Sequence, residues 1–453
     1  MRPDRTAYKL ISMVMVIILM CMMPSGYIYA EDANSDTGYT WPVKETEPYG
    51  KAAILMEKDT GAIIYSKNID EKLYPASITK IMTALLAIEK LNLNDEIVST
   101  NQMLAGLPSD AAIQGVSVGE RMTVRDCLYS LMLRSNNDMA VALAYAVSGS
   151  EKAFAELMTQ RAKELGAENT NFVNASGLHN PNHYTTARDM ALITKAATSN
   201  PTFQEIWSTA QYKLPATNMS GEMNISHRHN MLVSGRADYY QYATGGKTGY
   251  TDEAGRTLVT CAEKDGLNLI CVIMYSTNDY ITGDTKELFN YGFNNFKKTT
   301  IQGNEERFGQ SLGAGFDIVN EVYGNDVSMF SLGEGSVVIP KNALLKEIDY
   351  ELDMNIESTG KGEVALLTYK HNDDILGKTK IYLSSSYDKK ADGISSLEKE
   401  EAVVEKKDIT EILSINIYYI LGGILAVIIL AFVIRMFVKW KKRRNISKKY
   451  FIR

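Results

Sequence analysis

The sequence predicts an α/β core of mixed order, followed by a small all-β module and one membrane-spanning helix near the C-terminus. Three observations predict it. Apolar residues return at helical spacing between residues 77 and 166. From Gly245 the pattern switches to alternation rich in β-branched residues, which is the signature of strands. Residues 417–434, "IYYILGGILAVIILAFVI", carry no charge and are long enough to cross a bilayer once.

With 453 residues the chain is too long for one typical core, so two domains plus accessory segments are expected. Its composition, 45% apolar and 23% charged, is that of a globular protein and excludes global disorder. The formal charge of −6 argues against nucleic acid as a partner, and the basic C-terminus leaves the remainder more acidic still.

Arg2, Arg5 and Lys9 precede an apolar run from Leu10 to Met23, and Pro24, Gly26 and Ala30 follow. That is the layout of a secretory signal peptide over residues 1–30, cleaved before Glu31. At the other end the apolar run belongs to a transmembrane helix at 415–436. The basic tail at 437–453 keeps that end in the cytoplasm. The expected location is therefore the cell membrane, single-pass, with everything between the two segments outside. Once the signal is removed, Cys127, Cys261 and Cys271 remain, which is no disulfide framework. Cys261 and Cys271 flank a turn and come near each other; small buried thiols are the reading preferred here.

The elements follow in order. "KAAILMEKDTGAIIYSKN" reads as two strands joined at Asp59, Thr60 and Gly61. A helix is expected from Ser77, others in "TVRDCLYSLMLR" and "DMAVALAYAVSG" with "SNN" between them, and another in "SEKAFAELMTQRAKELG". Gly149 and Gly166 stand where C-terminal caps belong. A strand beginning at Lys247 and two more after it, with a hairpin turn at Asp265-Gly266, are followed by the helix "TGDTKELFNYGFNNF". The first domain is thus expected over 45–297. Short alternating runs, "GSVVIP", "GEVALLTYK" and "KTKIYLSSS", make an all-β domain over 300–386. The charged stretch at 387–414 reads as a linker or stalk.

Three short elements bear on chemistry. Ser77 and Lys80 are three apart, so a helical turn brings the amine toward the hydroxyl. Serine is a weak nucleophile until a base takes its proton. A lysine serves as that base when burial, the helix dipole or a second cation lowers its pKa. The spacing alone does not single out Ser77, because Ser386 and Ser396 also stand three before Lys389 and Lys399. Ser135-Asn136-Asn137 lies on the break between two helices, where a hydroxyl and an amide can project into a cleft. Ser66-Lys67-Asn68 and Ser276-Thr277-Asn278 repeat that pattern elsewhere. Lys247-Thr248-Gly249 occurs once, after Gly245-Gly246, where glycine allows close approach of a ligand to the backbone.

In this order the three elements resemble the serine-type D-alanyl-D-alanine carboxypeptidases, the low-molecular-weight penicillin-binding proteins of peptidase family S11, which are similar to the serine β-lactamases. "NFVNASGLHNPNHYTTARDMALI" resembles the stretch these enzymes carry between their second and third motifs. The resemblance runs from about residue 45 to the anchor. It implies an α/β (α+β) serine β-lactamase/DD-peptidase-like transpeptidase fold with a second small all-β domain. The implied reaction removes the terminal D-alanine from peptidoglycan stem peptides ending in D-Ala-D-Ala, and β-lactams are the implied inhibitors. Ser77 would become acylated, with Lys80 as base. Ser135 would relay a proton to the leaving amine, and Asn137 would hold the substrate's amide backbone. Lys247 and Thr248 would bind the terminal carboxylate, and the backbone N–H groups of Ser77 and Tyr250, beyond Gly249, would form the oxyanion hole. Neither a metal nor an organic cofactor is implied. Family members often carry His where this chain has Tyr250. They also place an arginine shortly before the strand; in "SHRHNMLV" that residue is Arg228 or His229, and charge favours Arg228.

The histidine pairs His179/His183 and His227/His229 lack a zinc-protease pattern and are expected to be surface or structural groups. Arg188 and Asp189 are expected to form a helix-terminal charge pair. A β-lactamase would need a carboxylate to activate water, and no E-x-x-L-N segment follows Ser135. An inactive peptidoglycan-binding protein leaves the intact Ser77, Lys80, Ser135, Asn137 and Lys247 unexplained. A D,D-endopeptidase acting on peptidoglycan cross-links is the nearest alternative, and the motifs do not separate it from a carboxypeptidase.

Overall fold

Strand β1 (Ala52–Glu57) is buried along its whole length, which is why its sequence reads as a continuous apolar run and not as an alternation. In this computed structural model, which describes residues 39–109, 111–307, 330–353 and 362–383, β1 lies inside a five-stranded antiparallel sheet. Its neighbours are β2 (Ile63–Lys67) and, from far along the chain, β5 (Leu267–Ser276). The meander β3 (Ala243–Thr251), β4 (Gly255–Lys264) and β5 completes the order β2-β1-β5-β4-β3. Strand β3 begins at Ala243, four residues before the expected start. The expected hairpin is present: Asp265 and Gly266 both adopt positive φ, as a two-residue type I′ connection demands.

Alternate residues of β1 feed two cores. Ala52, Ile54 and Met56 join the helical side, and Ala53 and Leu55 the opposite side. On the helical side pack α1 (Lys80–Lys90), α2 (Val124–Tyr129), α3 (Asn137–Ser148), α4 (Glu151–Glu164), α5 (Ala187–Thr198) and α6 (Pro201–Ser208). The other face is covered by Leu288, Phe289 and Phe293 of α7 (Ile281–Asn295). Thr123, Ser150, Thr186 and Asn200 cap their helices through side-chain oxygens, each such cap being worth about 1 kcal/mol. Gly149 ends α3 in the left-handed region, and Gly166 adopts the same conformation just past α4. Arg188 and Asp189 do not pair with each other: Arg188 grips Asp70 with two nitrogens, and Asp189 accepts from Asn169 N–H and the Thr170 hydroxyl.

The second sheet starts earlier than expected. Strand β6 (Phe296–Thr300) runs directly off α7 and pairs with β8 (Ser336–Pro340). With β7 (Phe330–Leu332), β9 (Asp349–Asp353), β10 (Glu363–His371) and β11 (Asp374–Leu383) it makes a six-stranded sheet in the order β6-β8-β11-β10-β9, β7 pairing with β11. This sheet has its own core of Ile301, Val337, Leu367, Tyr369 and Ile381. Trp41 joins it to the core on the α7 side of the first sheet, stacking on His371 with ring centroids 3.8 Å apart and meeting Phe296 edge-on.

Cys127, Cys261 and Cys271 are free and buried. The expected signal peptide, linker, transmembrane helix and basic tail lie outside the described residues. Among the described residues no helix is long and apolar enough to cross a membrane.

Candidate active site

Ser77 does not open an α-helix. It sits in a 3₁₀ turn, Ala76–Thr79, that feeds α1 at Lys80. In a 3₁₀ turn residues i and i+3 are eclipsed, which brings the two side chains together directly. Lys80 Nζ lies 2.9 Å from Ser77 Oγ. The turn is set from outside. Ala76 has φ +50, an unusual conformation for a residue with a Cβ, and Gly177 packs against its carbonyl so closely that a Cβ at 177 would stand 1.9 Å from Ala76 O. Thr257 Oγ1 donates to Pro75 O at 2.8 Å, and Thr79 Oγ1 bonds His183 Nε2 at 2.9 Å.

Lys80 is fully buried, and its amine has two further partners, Asn137 Oδ1 at 2.7 Å and Ser176 O at 2.6 Å. Burial pushes its pKa well below the usual lysine value, and the charges of Lys247 and Arg228 push the same way, against a smaller opposing pull from Asp138. Both extra partners are oxygens that only accept. They take the two hydrogens of a neutral amine and leave its lone pair for the Ser77 hydroxyl.

Between α2 and α3 the chain makes one π turn, Ser130–Arg134, and then Ser135 enters the left-handed region with φ 64. That reversal turns the Ser135 hydroxyl toward β3, where Lys247 Nζ lies 2.9 Å away. Lys247 is also bonded to Thr248 O and is 1% exposed. Burial, followed by the Arg228 charge, lowers its pKa to about 7. Asn136 points away from the cleft and bonds Ser130 Oγ and Gln114 Oε1. Asp138 accepts from Gln114 N–H and Gly115 N–H, and Asn137 N–H donates to Ala112 O, so the loop at 111–116 is fastened to the start of α3.

Strand β3 is the edge of its sheet and runs past Ser77. Only glycine fits at 249: a Cβ there would be 2.3 Å from Thr257 Oγ1 and 2.9 Å from Ser77 N. The result is an open cleft of about 940 Å³ lined by Ser77, Ser135, Asn137, Arg228, Thr248 and Tyr250 among others. Lys80 and Lys247 stand behind its wall.

Arg228 and His229 both border the cleft but pack differently. His229 is 2% exposed, its ring lies against Gly246, and Nε2 bonds Thr260 Oγ1 at 2.8 Å on β4. Arg228 is exposed along the cleft and has no acidic partner among the described residues. His183, His227 and His229 are buried, and desolvation holds each below its usual pKa, His183 and His229 at about 3. These are neutral structural groups. Among the described residues no group of three or more His, Cys, Asp or Glu is placed to hold a metal ion.

The three sequence triplets therefore meet in one cleft. The pattern is shared with known proteins: the D-alanyl-D-alanine carboxypeptidase family, Peptidase_S11, matches residues 41–278. The chain belongs to the D-alanyl-D-alanine carboxypeptidase family. Within this family, D-alanyl-D-alanine carboxypeptidase DacF of Bacillus subtilis is 32% identical over 296 residues, covering 64% of this chain and 72% of the relative. A D-alanyl-D-alanine endopeptidase of Pseudomonas aeruginosa is 30% identical over 241 residues, covering 52% of this chain and 74% of the relative. The fold is also that of penicillin-binding protein 5 from Haemophilus influenzae, with a TM-score of 0.60 and 23% identity over 76% of this chain and 98% of that one. As an S11 carboxypeptidase, the chain is a serine peptidase whose Ser77, Lys80, Ser135 and Lys247 lie within hydrogen-bond reach of one another in pairs.

Proposed function

We propose that the protein is a D-Ala-D-Ala carboxypeptidase that works through an acyl-enzyme on Ser77. The observation that carries this reading is the contact of a fully buried Lys80 amine with Ser77 Oγ at 2.9 Å. Lys80 takes the Ser77 proton while Oγ attacks the carbonyl carbon of the penultimate D-alanine. The N–H groups of Ser77 and Tyr250 hold the oxyanion, a donor pair whose loss typically costs about 10²–10³ in rate per donor. The tetrahedral intermediate collapses, the C–N bond breaks, and Ser135 passes a proton to the departing D-alanine amine. Water then hydrolyses the ester and frees Ser77.

The substrate's extended tail adds antiparallel to the open edge of β3. Lys247, Thr248 and Arg228 receive its terminal carboxylate, and Gly249 gives the room. A carboxylate arriving beside Lys247 restores that lysine's charge. Asn137 Oδ1 is already used by Lys80, so its Nδ2 is the group that donates to the substrate's backbone carbonyl. β-Lactams acylate the same serine. We further propose that the second sheet is a small all-β domain and that, with the linker and the membrane helix at 415–436, it holds the catalytic domain outside a membrane.

Labelled penicillin with intact-mass measurement tests the reading. Wild type should gain one acyl group and Ser77→Ala none; a labelled Ser77→Ala would overturn the nucleophile. A pentapeptide ending in two D-alanines, beside a cross-linked dimer, separates carboxypeptidase from endopeptidase.

A further inference from the structure

Beside the cleft lies a surface that the reaction does not use. Tyr49, Tyr275 and Tyr280 are 56%, 50% and 50% exposed, a large area of ring to leave in water. Tyr49 and Tyr280 stack on each other, centroids 4.4 Å apart and planes 12° from parallel, yet each stays half open. The stack is fixed from below, because Tyr49 N–H donates to Asp284 on α7. Lys51 N–H donates to Tyr275 O, which ties the third ring to the same segment. Tyr275 has φ +54, a strained conformation for an aromatic residue, at the end of β5.

The surface is continuous with the cleft. Asn278, Ile281 and Thr282, which flank Tyr280, line the cleft, as do Tyr250 and Arg256, and Arg256 pairs across the strands with Ser276. Its chemistry is also selective. The exposed large hydrophobic side chains at 49–51 and 275–282 are tyrosines alone, with no aliphatic patch of the kind a protein partner would bury. Lys51, whose ammonium is 5.9 Å from the Tyr275 ring, is paired with Glu71, so no free charge is offered to a phosphate. Flat rings with hydroxyl tips, beside the exposed carboxylate of Asp279 and not beside a free lysine, suit a ligand that is uncharged, weakly apolar on its C–H faces and ringed by hydroxyls.

We infer that Tyr49, Tyr275 and Tyr280 form a platform that stacks on the amino-sugar rings of the glycan strand to which the stem peptide is attached. The inference rests on the carboxypeptidase reading for its choice of polymer. A peptide whose tail lies along β3 leads back past Tyr250. Its upstream residues, at most about 3.3–3.6 Å each, bring the first sugars over neighbouring surface and not into bulk water. The platform then raises the local concentration of stem peptides at the cleft without touching the reacting atoms.

The test uses the full-length chain in detergent and two readouts. Denuded glycan strands, stripped of peptide, should bind wild type and lose about tenfold or more in affinity to Tyr49→Ala/Tyr275→Asn/Tyr280→Ala, the loss expected of an aromatic anchor. Asn at 275 keeps the left-handed backbone accessible. The triple variant should keep wild-type acylation by penicillin and wild-type kcat/KM on a free pentapeptide, and lose about tenfold in kcat/KM on glycan-linked pentapeptide. Equal glycan binding by wild type and variant, or none by either, overturns the platform. So does tyrosine-dependent binding to vesicles of anionic phospholipid in place of glycan. Failure of penicillin to label Ser77 would instead strike the carboxypeptidase reading, and the peptide-free glycan binding would still report on the tyrosines.

Discussion

Lys247 Nζ stands 2.9 Å from Ser135 Oγ, joining the third sheet strand to the break between two helices. Neither residue reaches the other by local structure: Ser135 arrives by a left-handed turn and Lys247 from an edge strand. Because Lys247 donates to the Ser135 oxygen, the hydroxyl hydrogen is left for the leaving amine. Ser135→Gly should therefore lose about 10²–10⁴ in kcat/KM, the range for a lost proton-transfer group. Glycine accepts φ 64 without strain, so the midpoint of thermal unfolding should stay near wild type. Ser135→Ala should show the same kinetic loss with a lower midpoint. Retained activity in the glycine variant would remove Ser135 from the proton path.

The two buried lysines set a pH profile with two limbs. In the proposed mechanism Lys80 acts when neutral, and its lowered pKa keeps it neutral at pH values where an ordinary lysine is charged. The rate falls as pH drops through that lowered pKa. In the same mechanism Lys247 attracts the carboxylate when charged, and in the free enzyme that charge fades as pH rises through about 7. The profile of kcat/KM should thus be bell-shaped, with its alkaline limb near neutrality. Arg228 depresses both lysines, so Arg228→Gln should move both limbs to higher pH while raising KM. A profile that does not move would separate Arg228 from both lysines.

How much of this was legible in the sequence follows from the range of each interaction. Ser77 with Lys80, the Asp265-Gly266 turn and the glycine ends of helices depend on neighbours a few residues away, and they read correctly. The 3₁₀ turn at Ala76–Thr79 and the π turn at Ser130–Arg134 break the 3.6-residue period, so periodicity placed helices there without their actual geometry. Ser176 contributes a carbonyl, which every residue has, and no side-chain pattern could announce it. Asp138 gave one faint signal, an acid in the first turn of a helix, but its partners Gln114 and Gly115 lie in a loop with no period of its own. Arg228 and His229 both border the cleft but differ in burial, and only the packing of His229 against Gly246 and Thr260 shows it. Strand β9, "DYELD", is charged at alternate positions on an edge, so no apolar run marks it in the sequence.

Asp138 offers a test of positioning apart from chemistry. Its carboxylate accepts from the backbone of 114 and 115 and touches no reacting group. Asp138→Asn exchanges charged acceptors for neutral ones and should destabilise by about 1–3 kcal/mol. It also removes a charge that raises the Lys80 pKa, so the acid limb should move to lower pH. Hydrogen exchange should speed up at Gln114 and Gly115. A faster exchange with an unmoved acid limb would confine Asp138 to holding the loop.

Gly249 decides whether β3 can lie against the nucleophile at all. A methyl group there would approach Thr257 Oγ1 to 2.3 Å, Ser77 N to 2.9 Å and Pro75 O to 3.1 Å. Backbone atoms cannot yield as a side-chain tip does, so β3 must move outward. The Tyr250 N–H then leaves the proposed oxyanion position, and the acylation rate should fall by about 10²–10³ as for a lost donor. Thr257→Ser leaves the hydroxyl and does not relieve the backbone contacts, whereas Thr257→Ala/Gly249→Ala removes the closest of the three. Thr257→Ala alone is the reference, because it also removes the hydrogen bond to Pro75 O; if the clash with Thr257 alone were responsible, the double variant would acylate as fast as that single variant. Contact with Ser77 N and Pro75 O predicts that it stays slow, measured as the rate of penicillin labelling at saturating label.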